Sequence, residues 1–141
     1  MDPSTSIEAR PSGGDRQVLL VDDDPEICQF VSLLLELEGF TPIVATRASD
    51  ALSIALGDRP AAILVDVAMP DVDGFELCRR LRAGGVDAAI LVVSARPGQG
   101  LLRRAVDAGA DEFIRKPFDN AELIARLRHW IAARERRSRQ I

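Results

Sequence analysis

Short apolar runs of strand length alternate along the chain with stretches in which apolar residues recur at helical spacing. Val18-Leu19-Leu20-Val21, Ala61-Ala62-Ile63-Leu64-Val65 and Ala89-Ile90-Leu91-Val92-Val93 are near-continuous apolar runs, the mark of strands covered on both faces. Ile27, Phe30, Val31, Leu34, Leu35 and Leu37 predict a first helix, with Gly39 as its stop. Leu52, Ile54 and Ala55 predict a second, capped by Ser49 and ended at Gly57. Phe75, Leu77, Cys78 and Leu81 predict a third, stopping near Gly84-Gly85. Leu101, Leu102, Ala105 and Val106 predict a fourth, closed by Gly109, whose first turn is weakened by Pro97, Gly98 and Gly100. The last helix begins at Asp119 and turns Leu123, Ile124, Leu127, Trp130 and Ile131 to one side. Thr41–Ala45 and Glu112-Phe113-Ile114 complete the strands, and Pro42, which cannot donate a ladder hydrogen bond, puts the second strand at an edge.

Strict strand–helix alternation predicts a parallel sheet with right-handed crossovers, and the edge position of the second strand favours the order 2-1-3-4-5. The fold class is therefore α/β, a doubly wound five-stranded flavodoxin-like sheet. Neither Gly-x-Gly-x-x-Gly nor Gly-x-x-x-x-Gly-Lys follows the first strand, which argues against a nucleotide site.

The strand ends carry the chemistry. Asp22 and Asp23 follow the first strand, Asp66 ends the third, Ser94 the fourth, and Lys116 follows the fifth, all at the same edge of the sheet. Asp24 precedes Pro25, a pairing suited to a helix cap and first turn, which leaves Asp22 and Asp23 without a local structural task. Carboxylates a few ångströms apart repel by roughly 4 kcal/mol per close pair at an effective dielectric near 20. A divalent cation relieves that repulsion, and Mg²⁺ (or Mn²⁺) takes oxygen ligands while keeping several waters. Ser94 and Lys116 would bind the remaining oxygens of a phosphoryl group, one as donor and the other as point charge.

Length and charge bound the setting. The 141 residues divide into a flexible tail over 1–16, one domain over 17–134 and a basic tail or linker over 135–141. A net charge of −4 gives no support to nucleic-acid binding by the domain, and no apolar run reaches membrane-spanning length, so a soluble, cytoplasmic protein is expected. Cys28 and Cys78 lack metal-ligand spacing and fall on helices that the strand order places on opposite faces of the sheet, so free thiols are expected. His129 and Trp130 need no role beyond surface and core cover.

The set Val21-Asp22-Asp23, Asp66-Val67-Ala68-Met69-Pro70-Asp71-Val72-Asp73-Gly74, Val93-Ser94-Ala95 and Lys116-Pro117-Phe118 resembles the receiver domains of two-component response regulators, over roughly Gln17 to Arg134. The resemblance implies that Asp66 is the phospho-acceptor and that Asp23, Asp66 and the Ala68 carbonyl ligate Mg²⁺, with Asp22 acting mostly through water. It implies further that Ser94 is the switch hydroxyl, that Lys116 contacts the phosphoryl group, and that the Lys116–Pro117 peptide is cis. Phe113 stands where a switch Tyr or another aromatic is usual and lacks the hydroxyl. The implied partner is a sensor histidine kinase or a histidine phosphotransfer protein, and the domain catalyses its own phosphorylation and dephosphorylation rather than turning over a substrate.

In receivers of the winged-helix transcription-factor subfamily, the face made by the fourth helix, fifth strand and last helix pairs across a symmetric dimer. Here that role would fall to Asp107, Asp111, Glu112, Glu122, Arg126 and Arg128, with Leu102 and Arg103 as departures from the pattern. Such a homodimer would be promoted by phosphorylation. Two other readings are weaker. A haloacid-dehalogenase-like phosphatase would carry Asp-x-Asp on its first strand and a cap insertion, and neither is clear here. An interaction module that never takes phosphate usually lacks some of the five site residues, all of which are present.

Overall fold

The computed structural model of the protein describes residues 16–67, 73–95 and 98–139, with side chains to residue 137. Strands β1 (Gln17–Val21), β2 (Thr41–Ala45), β3 (Ala62–Asp66), β4 (Ala89–Ser94) and β5 (Glu112–Arg115) form one parallel sheet in the order β2-β1-β3-β4-β5. Helices α1 (Pro25–Leu37), α2 (Ala48–Asp58), α3 (Gly74–Ala83), α4 (Leu101–Asp107) and α5 (Asn120–Arg139) link and cover the strands. This is the flavodoxin-like arrangement that the alternation and Pro42 predict, with β2 at an edge.

Alternate strand residues feed two separate cores, because successive side chains point to opposite faces. Leu19, Val21, Ile63, Val65, Ile90 and Val92 pack with Phe75, Leu81 and Ala105 on the side of α2, α3 and α4. Val18, Leu20, Leu64, Leu91 and Val93 pack with Leu35, Leu123 and Leu127 on the side of α1 and α5. Cys78 belongs to the first core and Cys28 to the second, so the sheet lies between two buried free thiols. Burial pushes the Cys78 thiol up to about 12, which leaves it a neutral, unreactive core group.

Helix ends follow local chemistry in most places. Asp24 caps α1 by accepting from the Glu26 amide at 3.0 Å, with Pro25 in the first turn. Helix α2 departs from the predicted caps. It starts at Ala48, with Arg47 at the cap position and no side-chain cap, so Ser49 lies inside the first turn; and it passes through Gly57 to end where Arg59 takes a left-handed φ of 53°. The reason is packing: Ala48, Ala51 and Ala55 all bury against the sheet, and that apolar stripe sets the helix ends over any cap preference. Helix α5 continues past Arg134 through the basic stretch to Arg139. Gly100 begins α4 at φ 81° with no side-chain cap; Pro97 lies outside the described residues. Among the described residues no helix is long and apolar enough to cross a membrane.

At the edge of the sheet away from the strand C-termini, Asp111 holds three elements together. It accepts from Arg82 at 3.2 Å, from Arg134 at 2.7 Å and 3.2 Å, and from the Ile90 amide at 3.0 Å, with its own side chain 7% exposed. Arg82 also donates to the carbonyls of Gly109, Val86 and Ala88. Removing the shared acid leaves two half-buried guanidinium groups facing each other. Asp111→Ala is therefore expected to lower stability by about 3 kcal/mol in chemical denaturation; a loss under about 1 kcal/mol would show that the pair behaves as a solvated surface contact.

Candidate active site

Parallel pairing in register places the ends of β1, β3 and β4 side by side: Val21 lies opposite both Ala45 and Val65, Asp66 opposite Val93, and Ser94 opposite Arg115. Backbone bonds extend the ladder past the strand ends, from the Asp22 amide to the Ala45 carbonyl at 3.1 Å and from the Lys116 amide to the Ser94 carbonyl at 2.9 Å. The backbone thus delivers Asp22, Asp66, Ser94 and Lys116 to one edge. The Lys116–Pro117 peptide at that edge is cis.

One carboxylate oxygen from each of Asp22, Asp23 and Asp66 lies within 4.8 Å of the others. The Lys116 ammonium stands 3.6 Å from an Asp22 oxygen and 4.0 Å from an Asp66 oxygen. Asp22 is almost wholly buried, whereas Asp23 is exposed and Asp66 half-buried. Burial raises the Asp22 carboxyl above the ordinary range, and the charge of Asp66 adds to the rise; the Asp24 amide, which donates to Asp22 Oδ1 at 2.9 Å, and Lys116 oppose it. One ammonium does not balance three acids. The donor set is all oxygen, which suits a hard divalent cation rather than a thiophilic one. The Ala68 carbonyl, expected as a further ligand, lies outside the described residues.

Two features of the site have no plain signal in sequence. Gly74 opens α3 so close to β3 that an added Cβ would meet the Val67 Cα at 2.5 Å and the Asp66 carbonyl oxygen at 2.8 Å. Only glycine lets that helix begin against the backbone just past Asp66. The Cys28 thiol donates to the Asp22 carbonyl at 3.2 Å, one turn into α1. The Asp73-Gly74 pair reads as ordinary turn chemistry, and a helical Cys reads as core, so neither role could be drawn from composition or spacing.

Ser94 is fully buried at the end of β4. Phe113 pairs with Val92 in the ladder and packs half-buried against the core on the α4 side, with the Arg115 guanidinium 5.8 Å from its ring centroid. The six charges expected on one dimer face do not stay together. Asp111 is the buried acceptor described above, and Arg128 reaches the other way, donating to the Glu38 carbonyl and carboxylate at 3.1 Å each. The Asp111 side chain is thus buried among Arg82 and Arg134, while Arg128 stays exposed with Glu38 as its partner. Asp107 pairs with Arg103 on α4, while Arg126 binds both Glu112 and Glu122, and Trp130 donates to Glu112 at 2.7 Å. Leu102 and Val106 stand exposed beside them.

An acid cluster and a lysine gathered at the C-terminal edge of a 2-1-3-4-5 sheet define a receiver domain. The family model for the response regulator receiver domain matches residues 18–128, and the chain belongs to that family. Response regulator MprA of Mycolicibacterium vanbaalenii is 40% identical over 112 residues, which cover 79% of this chain and 48% of that protein. The Mycobacterium ulcerans protein of the same name is 41% identical over the same length. The chain spans about half the length of these curated relatives. Among solved structures, the BeF3-activated N-terminal receiver domain of Klebsiella pneumoniae RstA is similar with a TM-score of 0.77 at 28% identity, covering 82% of this chain and 97% of that one. The receiver domain of Francisella response regulator 1452 gives 0.79 at 29% identity, with 84% and 98% covered.

The raised Asp22 carboxyl has a checkable consequence. A carboxyl that holds its proton more tightly folded than unfolded gives stability at pH values below its unfolded pKa, and that stability is lost as pH rises through the folded value. At neutral pH without divalent cation, the domain carries the full cost of that buried charge. Asp22→Asn should therefore melt higher than the native chain at pH 7 in chelator, with the gap closing on acidification below the ordinary carboxylate range. In added Mg²⁺ the native chain should gain more than the variant. A variant that melts lower in chelator at neutral pH would reverse the sign assigned to Asp22.

Proposed function

We propose that the domain accepts a phosphoryl group on Asp66 from the phosphohistidine of a sensor histidine kinase or a histidine phosphotransfer protein, in the cytoplasm, and itself catalyses both that transfer and the later hydrolysis. The observation that carries the reading is the Lys116 ammonium standing within 4.0 Å of both Asp22 and Asp66 at a crowded, oxygen-only site. Asp23, Asp66 and the Ala68 carbonyl would hold Mg²⁺ (or Mn²⁺), with Asp22 acting mostly through water; the ion would supply the positive charge that lets a phosphoryl dianion approach a carboxylate.

In the transfer, an Asp66 oxygen forms the new O–P bond as the P–N bond to the donor imidazole breaks, and the imidazole leaves with the electron pair and takes up a proton. Lys116 balances charge on the phosphoryl oxygens, and the Ser94 hydroxyl donates to another of them. The Lys116 amide is bonded to the Ser94 carbonyl, so the two donors are carried on the paired ends of β4 and β5. A pull on Ser94 is passed to Phe113, on the strand paired with β4, and so to the surface formed by α4, β5 and α5.

Mass spectrometry of the intact chain after acetyl phosphate and Mg²⁺ should show one added phosphoryl group, absent in Asp66→Asn. Full labelling in that variant would overturn the assignment, and continuous turnover of a phosphomonoester would favour the phosphatase instead.

On the output surface, Asp107, Glu112, Glu122 and Arg126 are the charges left to pair across a two-fold dimer. Each exposed pair is worth about 0–1 kcal/mol, so the contact should be weak and salt-sensitive. Sedimentation should find mostly monomer without phosphate and more dimer with beryllofluoride and Mg²⁺. Arg126→Glu should abolish the increase, and a dimer indifferent to activation or to that reversal would place the interface elsewhere.

A further inference from the structure

Asp73 and Arg104 join two parts of the chain that both lead away from the site. Asp73 follows Asp66 in the segment between β3 and α3; Arg104 follows Ser94 in the segment that becomes α4. One Asp73 oxygen accepts from the Phe75 amide at 2.9 Å and caps α3, while the other lies 3.4 Å from the Arg104 guanidinium. The same guanidinium sits over the Phe75 ring, 4.4 Å from its centroid. Phe75 is fully buried in the core that Ile63 and Val65 of β3 also line.

The next residue ties this corner to the acceptor. The Gly74 amide donates to the Val67 carbonyl at 3.3 Å, and a Cβ added at Gly74 would meet the Val67 α-carbon, one residue past Asp66, at 2.5 Å. On the other side, α4 begins without a side-chain cap and enters the core only through Leu101 and Ala105. Arg104 therefore holds α4, by one ion pair and a cation placed over the ring, to the Asp73–Phe75 corner that opens α3.

We infer that Arg104 is a positioning residue for the acceptor: through Asp73 and Phe75 it steadies the start of α3 against the Val67 backbone, next to Asp66, and binds the placement of α4 to it. The inference rests on the reading of Asp66 as acceptor. The contact is exposed on both sides, so its effect on overall stability is small. Its effect on chemistry is larger in kind, since a carboxylate displaced by a fraction of an ångström loses in-line geometry.

The test uses the intact chain and three substitutions. Arg104→Met keeps an apolar side chain near Phe75 and removes the charge with its contact to Asp73, Arg104→Lys keeps the charge, and Asp73→Asn keeps an acceptor for the Phe75 amide while weakening the ion pair. Amide exchange at Phe75 should quicken in Arg104→Met. Labelling by acetyl phosphate at saturating Mg²⁺ should slow roughly two- to fivefold. The melting temperature should hardly move, Arg104→Lys should recover most of the rate, and the double variant with Asp73→Asn should be no slower than Asp73→Asn alone. Native-like labelling in Arg104→Met, a slowing that tracks lost stability, or full additivity with Asp73→Asn would overturn the inference. A native chain that takes no label would overturn the acceptor reading; unchanged Phe75 exchange in Arg104→Met would then overturn the tie on its own.

Discussion

Confining three carboxylates within 4.8 Å at one sheet edge is the constraint on which the rest of this domain depends. Like charges so close repel by several kcal/mol where water is thin, and burial of Asp22 raises the cost further. The fold tolerates this because the ladder holds the chain, not the side chains: β1 and β3 are buried on both faces and paired along their length, so the acids are carried to the edge by backbone they cannot move. Lys116 offsets part of the repulsion from the far side of the site. The remaining negative charge makes the site receptive to a cation and poised for a phosphoryl group.

The opposite edge of the sheet is treated differently. There one acid, Asp111, serves two arginines and a backbone amide. Arg82 spends its remaining donors on three carbonyls around the ends of α3 and α4. Satisfied polar groups rigidify a structure, and uncompensated ones make it responsive. The domain places the first kind at the base and the second at the site.

That surface combines exposed Leu102 and Val106 with the Arg126 cluster. Arg126 already has two carboxylate partners within its own chain, so an intermolecular contact must compete with pairs in place.

Much of this was legible in the sequence. Apolar runs bounded by turn residues set the strands, helical spacing set the helices, Pro42 placed an edge, and polar residues at the end of buried strands marked the site, because each of these is a local property of chain and solvent. What was not legible involves partners distant in the chain. Ser49 looks like a cap until Ala48 is drawn onto the sheet; Asp111 looks like a surface charge until Arg82 and Arg134 are brought beside it. Gly74 looks like a turn residue until the Val67 backbone, just past β3, is found 2.5 Å from where its Cβ would be. A sequence determines which groups must be buried, paired or bent; which group satisfies which is decided only when distant segments meet, since the energy of a charge or a cap depends on neighbours that local pattern does not name.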